Sequence, residues 1–277
     1  MLRDQMNKRQ IITVEILVPT GMAFEKLCRA VEPLKDYIDA FNIPSNPLGR
    51  LRPDAMCSAH LIQEKTGVEA IPHFVARHFT SLGFESHLLG AAALDIKNIL
   101  CVTGDSPEEG RSTFELNAVR LISMARGFKN GLTSARRSIE PIDFCISASF
   151  NPNVPNVHGE FLKVGEKVNA GAEVFFTQPV FDPELFLKVI GGFKKYPGIK
   201  IIAGLSYLYT KKRAFALMKY LGIPYDYIKE IEEIDETELL LRTAGQIRNA
   251  VDGFYIIPIA KYDNALTLVK NLRNICR

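Results

Sequence analysis

Eight short runs of β-branched and aromatic residues recur along this chain, each separated from the next by a segment of helical character. Such alternation makes successive strands parallel, because the chain must cross back over the sheet before each new strand begins. The expected strands are Ile11 to Val18, Tyr37 to Ile43, Glu69 to Val75, Asn98 to Val102, Asp143 to Ser149, Ala172 to Phe176, Ile199 to Leu205 and Gly253 to Ile259. Helices are expected over Ala23 to Leu34, Met56 to Lys65, Thr80 to Leu94, Gly159 to Asn169, Pro183 to Phe193, Lys211 to Leu221 and Asn264 to Ile275. Gly67 is placed to cap the second of these. A charged stretch from Asp226 to Gln246 adds one or two helices between strands seven and eight. Eight strands joined by such crossovers in 277 residues suit a closed (β/α)8 barrel, the TIM-barrel architecture, better than an open sheet.

The helix after strand four carries its own start signal. Ser112-Thr113-Phe114-Glu115 fits a capping box, and Phe114, Ala118, Leu121, Ile122 and Ala125 then fall on one helical face that Gly127 would close. Nothing in the composition marks a domain boundary, so residues 1–277 read as one catalytic-sized domain. The 34 basic and 31 acidic residues leave a formal charge of +3, too small and dispersed for a nucleic-acid footprint. Five cysteines, at 28, 57, 101, 145 and 276, lack metal or redox spacing and read as reduced thiols of a cytoplasmic protein. Met1 to Gln10 is polar with mixed charge, unlike a signal peptide, and no apolar run approaches the ~20 residues a membrane span needs.

In a parallel barrel, side chains just past the carboxyl ends of the strands face the ligand. Those positions are polar here: Glu15, Asn42, His73, Asp105, Asn151, Gln178 and Lys261. Three of them admit a plainer reading. Asp105 could cap a turn before Ser106-Pro107, His73 could be a hydrogen-bonded core histidine, and Glu15 could face solvent from a half-exposed edge strand. No Gly-x-Gly-x-x-Gly follows a strand, no P-loop or nucleophile elbow is present, and the five histidines lack a metal-binding spacing. What remains is a pair of strand-end carboxylates and an amide. Two carboxylates can divide labour when burial raises one for use as an acid while the other stays ionised.

A set of ordered segments resembles the 5,10-methylenetetrahydrofolate reductase family. They are Thr13-Val14-Glu15-Ile16, Gly67 to His73, Leu88 to Ala91 with Asn98 to Leu100, Thr103-Gly104-Asp105, Lys167 to Ala172, and Thr177 to Asp182. The resemblance implies a flavoprotein barrel in which FAD passes a hydride to methylenetetrahydrofolate, yielding 5-methyltetrahydrofolate for methionine biosynthesis. It matches Glu15 to the general acid that opens the folate's five-membered ring to an iminium. It also matches Asp105 to the carboxylate near pterin and flavin, and Gln178 to a folate-binding amide; Lys261 is the polar residue at the last strand's exit. His73, Thr103, Gly104, Asp105 and Lys167 match flavin-contacting positions, with Asn151 beside them at the fifth strand's exit.

The chain also departs from the family. Val18-Pro19-Thr20 stands where many members have Pro-Pro-Arg, and Arg77-His78-Phe79-Thr80 where Arg-Asp-x-Asn often follows strand three. Arg213 and Leu217 occupy positions where some members place Gln and Phe against substrate and nicotinamide. The electron donor is therefore either NAD(P)H or a partner protein subunit, in a homo- or hetero-oligomer. The alternative function is a non-redox barrel that binds a folate or related pterin and hands methyl groups to a corrinoid protein.

Overall fold

The structure is a computed structural model that describes residues 1–21, 23–106, 108 and 110–276. Pro107, part of the turn considered after strand four, lies outside the described residues. Eight parallel strands close into a barrel in sequence order: β1 (Ile11–Glu15), β2 (Ala40–Ile43), β3 (Glu69–Val75), β4 (Asn98–Val102), β5 (Cys145–Phe150), β6 (Val174–Pro179), β7 (Lys200–Ser206) and β8 (Gly253–Ile257). Closure removes every sheet edge, so the edge-strand reading of Glu15 is excluded.

Strand alternation builds two cores from one sheet. Ile11, Ala40, Ile71, Leu100, Cys145, Val174, Ile202 and Tyr255 point inward and fill the barrel. Their sequence neighbours Ile12, Val14, Phe41, Ala70, Ile99, Ile146, Phe175 and Ala203 point outward, under the helices. Those helices are α2 (Phe24–Val31), α3 (Ala55–Thr66), α4 (Ser81–Ala93), α5 (Ala118–Lys129), α6 (Val157–Ala170), α7 (Pro183–Ile190), α8 (Lys211–Leu221) and α11 (Tyr262–Ile275). Gly67 caps α3 in the left-handed conformation, as its position predicts. The expected helices at 23–34 and 183–193 finish as 3-10 turns, Glu32–Leu34 and Gly191–Lys195. The charged stretch forms two helices, α9 (Tyr225–Glu233) and α10 (Glu236–Ile247). The break falls at Asp235, whose carboxylate accepts the Thr237 and Glu238 N–H groups at 2.9 and 3.2 Å.

The polar start of the chain hides one element, α1 (Leu2–Met6). Leu2 and Met6 lie four residues apart on one face and join the inner core, closing the barrel at the amino ends of its strands. Asn98 at the start of β4 accepts the Leu2 N–H at 3.0 Å, and Arg3 bridges Asp143 and Glu173.

The capping-box expectation is wrong. Helix α5 begins at Ala118, and Asn117 is its cap, accepting the Arg120 N–H at 2.9 Å. Thr113 is committed elsewhere: its hydroxyl donates to the Phe79 carbonyl at 2.8 Å and its N–H to Arg77 O at 2.9 Å, which holds this segment as a loop over β3's exit. Phe114 is therefore 83% exposed, and the Glu115 carboxylate accepts the Ser81 N–H of α4 instead of closing its own helix. Gly127 lies inside α5, whose end turns back so that the Leu132 N–H reaches the Gly127 carbonyl at 2.9 Å. Losing a side-chain N-cap costs about 1 kcal/mol. Urea unfolding of Asn117→Ala should show that loss, whereas Ser112→Ala should stay within about 0.5 kcal/mol of the parent.

Candidate functional site

The carboxyl ends of the strands surround one cavity of about 290 Å³. Val75, Leu100, Val102, Phe176 and Ile257 supply apolar walls, and Glu15, His73, Asp105, Gln178, Tyr220 and Tyr255 supply polar groups. The two carboxylates singled out from the sequence thus face the same space.

Glu15 ends β1 with part of its carboxyl toward the cavity and the rest enclosed by protein. Burial pushes it from its ordinary 4.5 up to about 7, and the Tyr255 hydroxyl, which donates to Oε2, works against that rise. His73 undergoes the opposite displacement by the same cause: burial disfavours the imidazolium and lowers it to about 3, so the ring is neutral. The Asn42 amide nitrogen lies 3.3 Å from His73 Nε2, and Asn42 Oδ1 is buried without a hydrogen-bond partner among the described residues.

Asp105 is placed by backbone geometry. Gly104 has φ +84°, and a Cβ there would stand 2.2 Å from Val75 Cγ1, so only glycine permits this turn off β4. Arg77 Nε donates to the Gly104 carbonyl at 2.8 Å and pins the turn from the neighbouring strand's exit. Asp105 projects to the exposed rim, where the Tyr220 hydroxyl of α8 lies 3.4 Å from both its oxygens.

Gln178 depends on a bulge. Between the pairs Phe176↔Ile202 and Pro179↔Gly204, β6 advances three residues while β7 advances two. The extra residue brings Phe176, Thr177 and Gln178 all to the cavity wall. Thr177 Oγ1 accepts the Gly204 N–H at 2.9 Å, and a Cβ on Gly204 would meet the Thr177 carbonyl at 2.7 Å, so glycine is what lets the strands approach.

Five residues named from the sequence do not line the cavity: fully buried Asn42 and four others. Thr103 faces α5 and accepts the Ala118 N–H at 3.3 Å. Asn151 Oδ1 accepts the Asn153 N–H at 3.0 Å within the loop after β5. Lys167 is buried and donates to the Ser149 carbonyl at 2.6 Å. Lys261 is exposed, its ammonium 3.9 Å from the centre of the Tyr209 ring. Conversely, Tyr255 and Tyr220 went unnoticed in the sequence. Tyr255 shares the inward phase of Gly253 and Ile257, a signal that could have found it; Tyr220 reaches the rim only through the placement of α8.

Fold and site define a class: a (β/α)8 barrel whose carboxyl-end mouth holds one small-molecule cavity, with a buried acid on the first strand and an exposed anion past the fourth. The chain belongs to the methylenetetrahydrofolate reductase family, whose model matches residues 1–252. It is similar to a probable methylenetetrahydrofolate reductase (NADPH) of Caenorhabditis elegans, 24% identical over 66% of this chain and 27% of that protein. It also resembles a 5,10-methylenetetrahydrofolate reductase of Pectobacterium carotovorum subsp. carotovorum, 29% identical over 46% of this chain and 39% of that protein. The matches thus span only about a quarter to two fifths of these relatives' length. Among solved structures, an uncharacterized Clostridium thermocellum protein that binds two copies of 5-methyl-5,6,7,8-tetrahydrofolic acid superposes with TM-score 0.71 over 99% of both chains at 16% identity. A 2,3-dimethylmalate lyase superposes at 0.57 and 12% identity, covering 99% of this chain and 83% of that one. At such identities the superpositions show the fold.

Two measurements test the site. A carboxyl raised in the folded state adds stability that is complete below pH 4.5 and is lost as pH rises through about 7. Glu15→Gln should therefore gain on the parent by about 3 kcal/mol between about pH 4 and pH 8 in urea unfolding, and parallel stability curves would contradict the burial. The His73 contribution runs the other way, falling as pH drops below 6.5, but it is common to both proteins and cancels in the difference. Gly104→Ala should lose about 2–3 kcal/mol, since it combines a disfavoured backbone angle with a clash on Val75.

Proposed function

We propose that this barrel reduces 5,10-methylenetetrahydrofolate to 5-methyltetrahydrofolate with FAD, using Glu15 as general acid and Asp105 to stabilise the cationic iminium. The observation that carries the reading is the shared cavity. One of its carboxyls holds a proton near neutral pH, and the other stands at an open rim. A general acid works best when its pKa lies near the working pH, and about 7 meets that need.

The cavity residues fit a flat heteroaromatic ring. Its walls are apolar, and its volume of about 290 Å³ falls just short of the ~300–1,000 Å³ range of ligand clefts; Asn42 Oδ1, a buried acceptor without a donor among the described residues, lies outside its lining. When bound, the flavin supplies the hydride; the protein supplies placement and field. His73 and Gly104 would border the ring. The cofactor's phosphates would have to leave the cavity, because none of its described lining residues is Lys or Arg. Arg77 and Arg111 line the adjoining groove. Glu15 protonates the folate's leaving nitrogen as the ring opens, Gln178 hydrogen-bonds the pterin, and Asp105 offsets the positive charge that develops.

Arg213 is exposed on α8 and Leu217 packs with Leu208 and Ala214, away from the cavity lining. This favours electrons arriving from a partner subunit over direct NAD(P)H use. A second reading, carrier binding without redox, draws support from the Clostridium thermocellum protein that binds methyltetrahydrofolate.

Spectra and single-turnover kinetics separate the two. Purified protein should be yellow, and methylenetetrahydrofolate should reoxidise its reduced flavin. Glu15→Gln should keep the flavin and slow that step by about 100-fold or more. A colourless protein that binds methyltetrahydrofolate tightly would favour the carrier reading, and undiminished reoxidation in Glu15→Gln would remove the acid role.

A further inference from the structure

We propose that Tyr255 is the positioning residue for Glu15: its hydroxyl holds one carboxyl oxygen so that the other is presented to the cavity. The geometry is specific. Tyr255 pairs in register with Thr13, two residues before Glu15, and its ring carries the hydroxyl one layer up the barrel to Glu15 Oε2. The ring is only 6% exposed and is fixed by an edge-to-face contact with Phe176, centroids 5.5 Å apart at 88°. Among the described residues Tyr255 is the hydrogen-bond partner of the Glu15 carboxyl, which leaves Oε1 for a ligand.

A phenol in this position does two things to a buried acid. It fixes the side chain's rotamer, which removes the entropy of searching for the substrate nitrogen. It also donates to the carboxylate that forms once the proton has left, in a low-dielectric site where such a bond is strong. Tyr255 itself stays protonated, since burial and the neighbouring carboxylate both disfavour its anion. The remaining titratable groups around Glu15 are Tyr262 from α11, which accepts the Leu17 N–H at 3.1 Å, and His73 from β3. At the cavity mouth stand His78 after β3, Asp105 after β4 and Tyr220 from α8.

The functional part of this inference rests on the acid role proposed for Glu15, so the test reads protonation and turnover separately. In the 277-residue protein, infrared difference spectra across a pH titration, with Glu15→Gln to assign the signal, give the midpoint of the Glu15 carboxyl. Tyr255→Phe keeps the ring against Phe176 and removes only the donor. Loss of a hydrogen bond to a charged group should move the midpoint upward by about one to two pH units. Replacing Tyr255 by 3-fluorotyrosine keeps the shape and strengthens the donor, and should move the midpoint downward. Opposite shifts support the proposal. A midpoint that stays fixed in both, or moves the same way in both, overturns it. The pH profile of folate reduction should follow these midpoints. If the midpoints move in opposite directions and the profile does not, Tyr255 positions Glu15 as proposed and the acid role of Glu15 is what fails.

Discussion

Closure of the sheet between β8 and β1 is the constraint on which the site depends. The pairs Ile11↔Gly253 to Val14↔Ile256 bring the first and last strands of the chain side by side. Tyr255 then stands level with Thr13, and its hydroxyl reaches one layer up to Glu15, 240 residues away in the chain, inside the ring. An open sheet of the same strands would expose one flank of β1 to water, and the carboxyl would keep an ordinary affinity for its proton. The acid's unusual state is thus a consequence of topology before it is a consequence of any single contact.

The remaining site groups are aimed by local departures from regular structure. The left-handed Gly104 turns the chain off β4 and carries Asp105 to the rim, and the β6 bulge rotates Gln178 to the wall. Each departure is over-determined: Arg77 grips the first, and the Thr177 hydroxyl bonded to the Gly204 N–H grips the second. Strain held this way keeps ligand-facing groups still without burying them.

Much of this was legible in the sequence. Glu69–Val75, Asn98–Val102 and Lys211–Leu221 match expectation to the residue, because short apolar runs bounded by polar and glycine residues leave little freedom in where a strand or helix ends. Glu15, His73, Asp105 and Gln178 were legible as cavity residues because strand ends in a parallel barrel converge, and Gly104 through the family resemblance. The failures share a different origin. Ser112-Thr113-Phe114-Glu115 is a sound local motif that lost to tertiary bonds from Thr113, and α1 is a polar segment made helical by two apolar residues that plug the barrel. Thr103 and Asn151 lie at strand exits and Lys167 inside α6, and their side chains are held by α5, the following loop and the Ser149 carbonyl, which spacing alone does not reveal.

Burial acts on two groups of opposite charge type here, and it favours the neutral form of both beside the Asp105 carboxylate at the rim. Glu15 holds its proton up to about 7 and His73 loses its proton down to about 3, so both are neutral over the slightly acidic range. No described lining residue is Lys or Arg, and burial lowers His78 at the mouth as well, so the lining groups around the Asp105 carboxylate carry no permanent cation. On the proposed reaction, proton transfer from Glu15 creates a carboxylate and a cationic folate together, inside apolar walls where separated charges interact strongly. The new carboxylate already has a donor in Tyr255, and the new cation already has a counter-charge in Asp105. Charge would thus develop between partners placed before the substrate arrives, so little reorganisation is required at the moment of transfer.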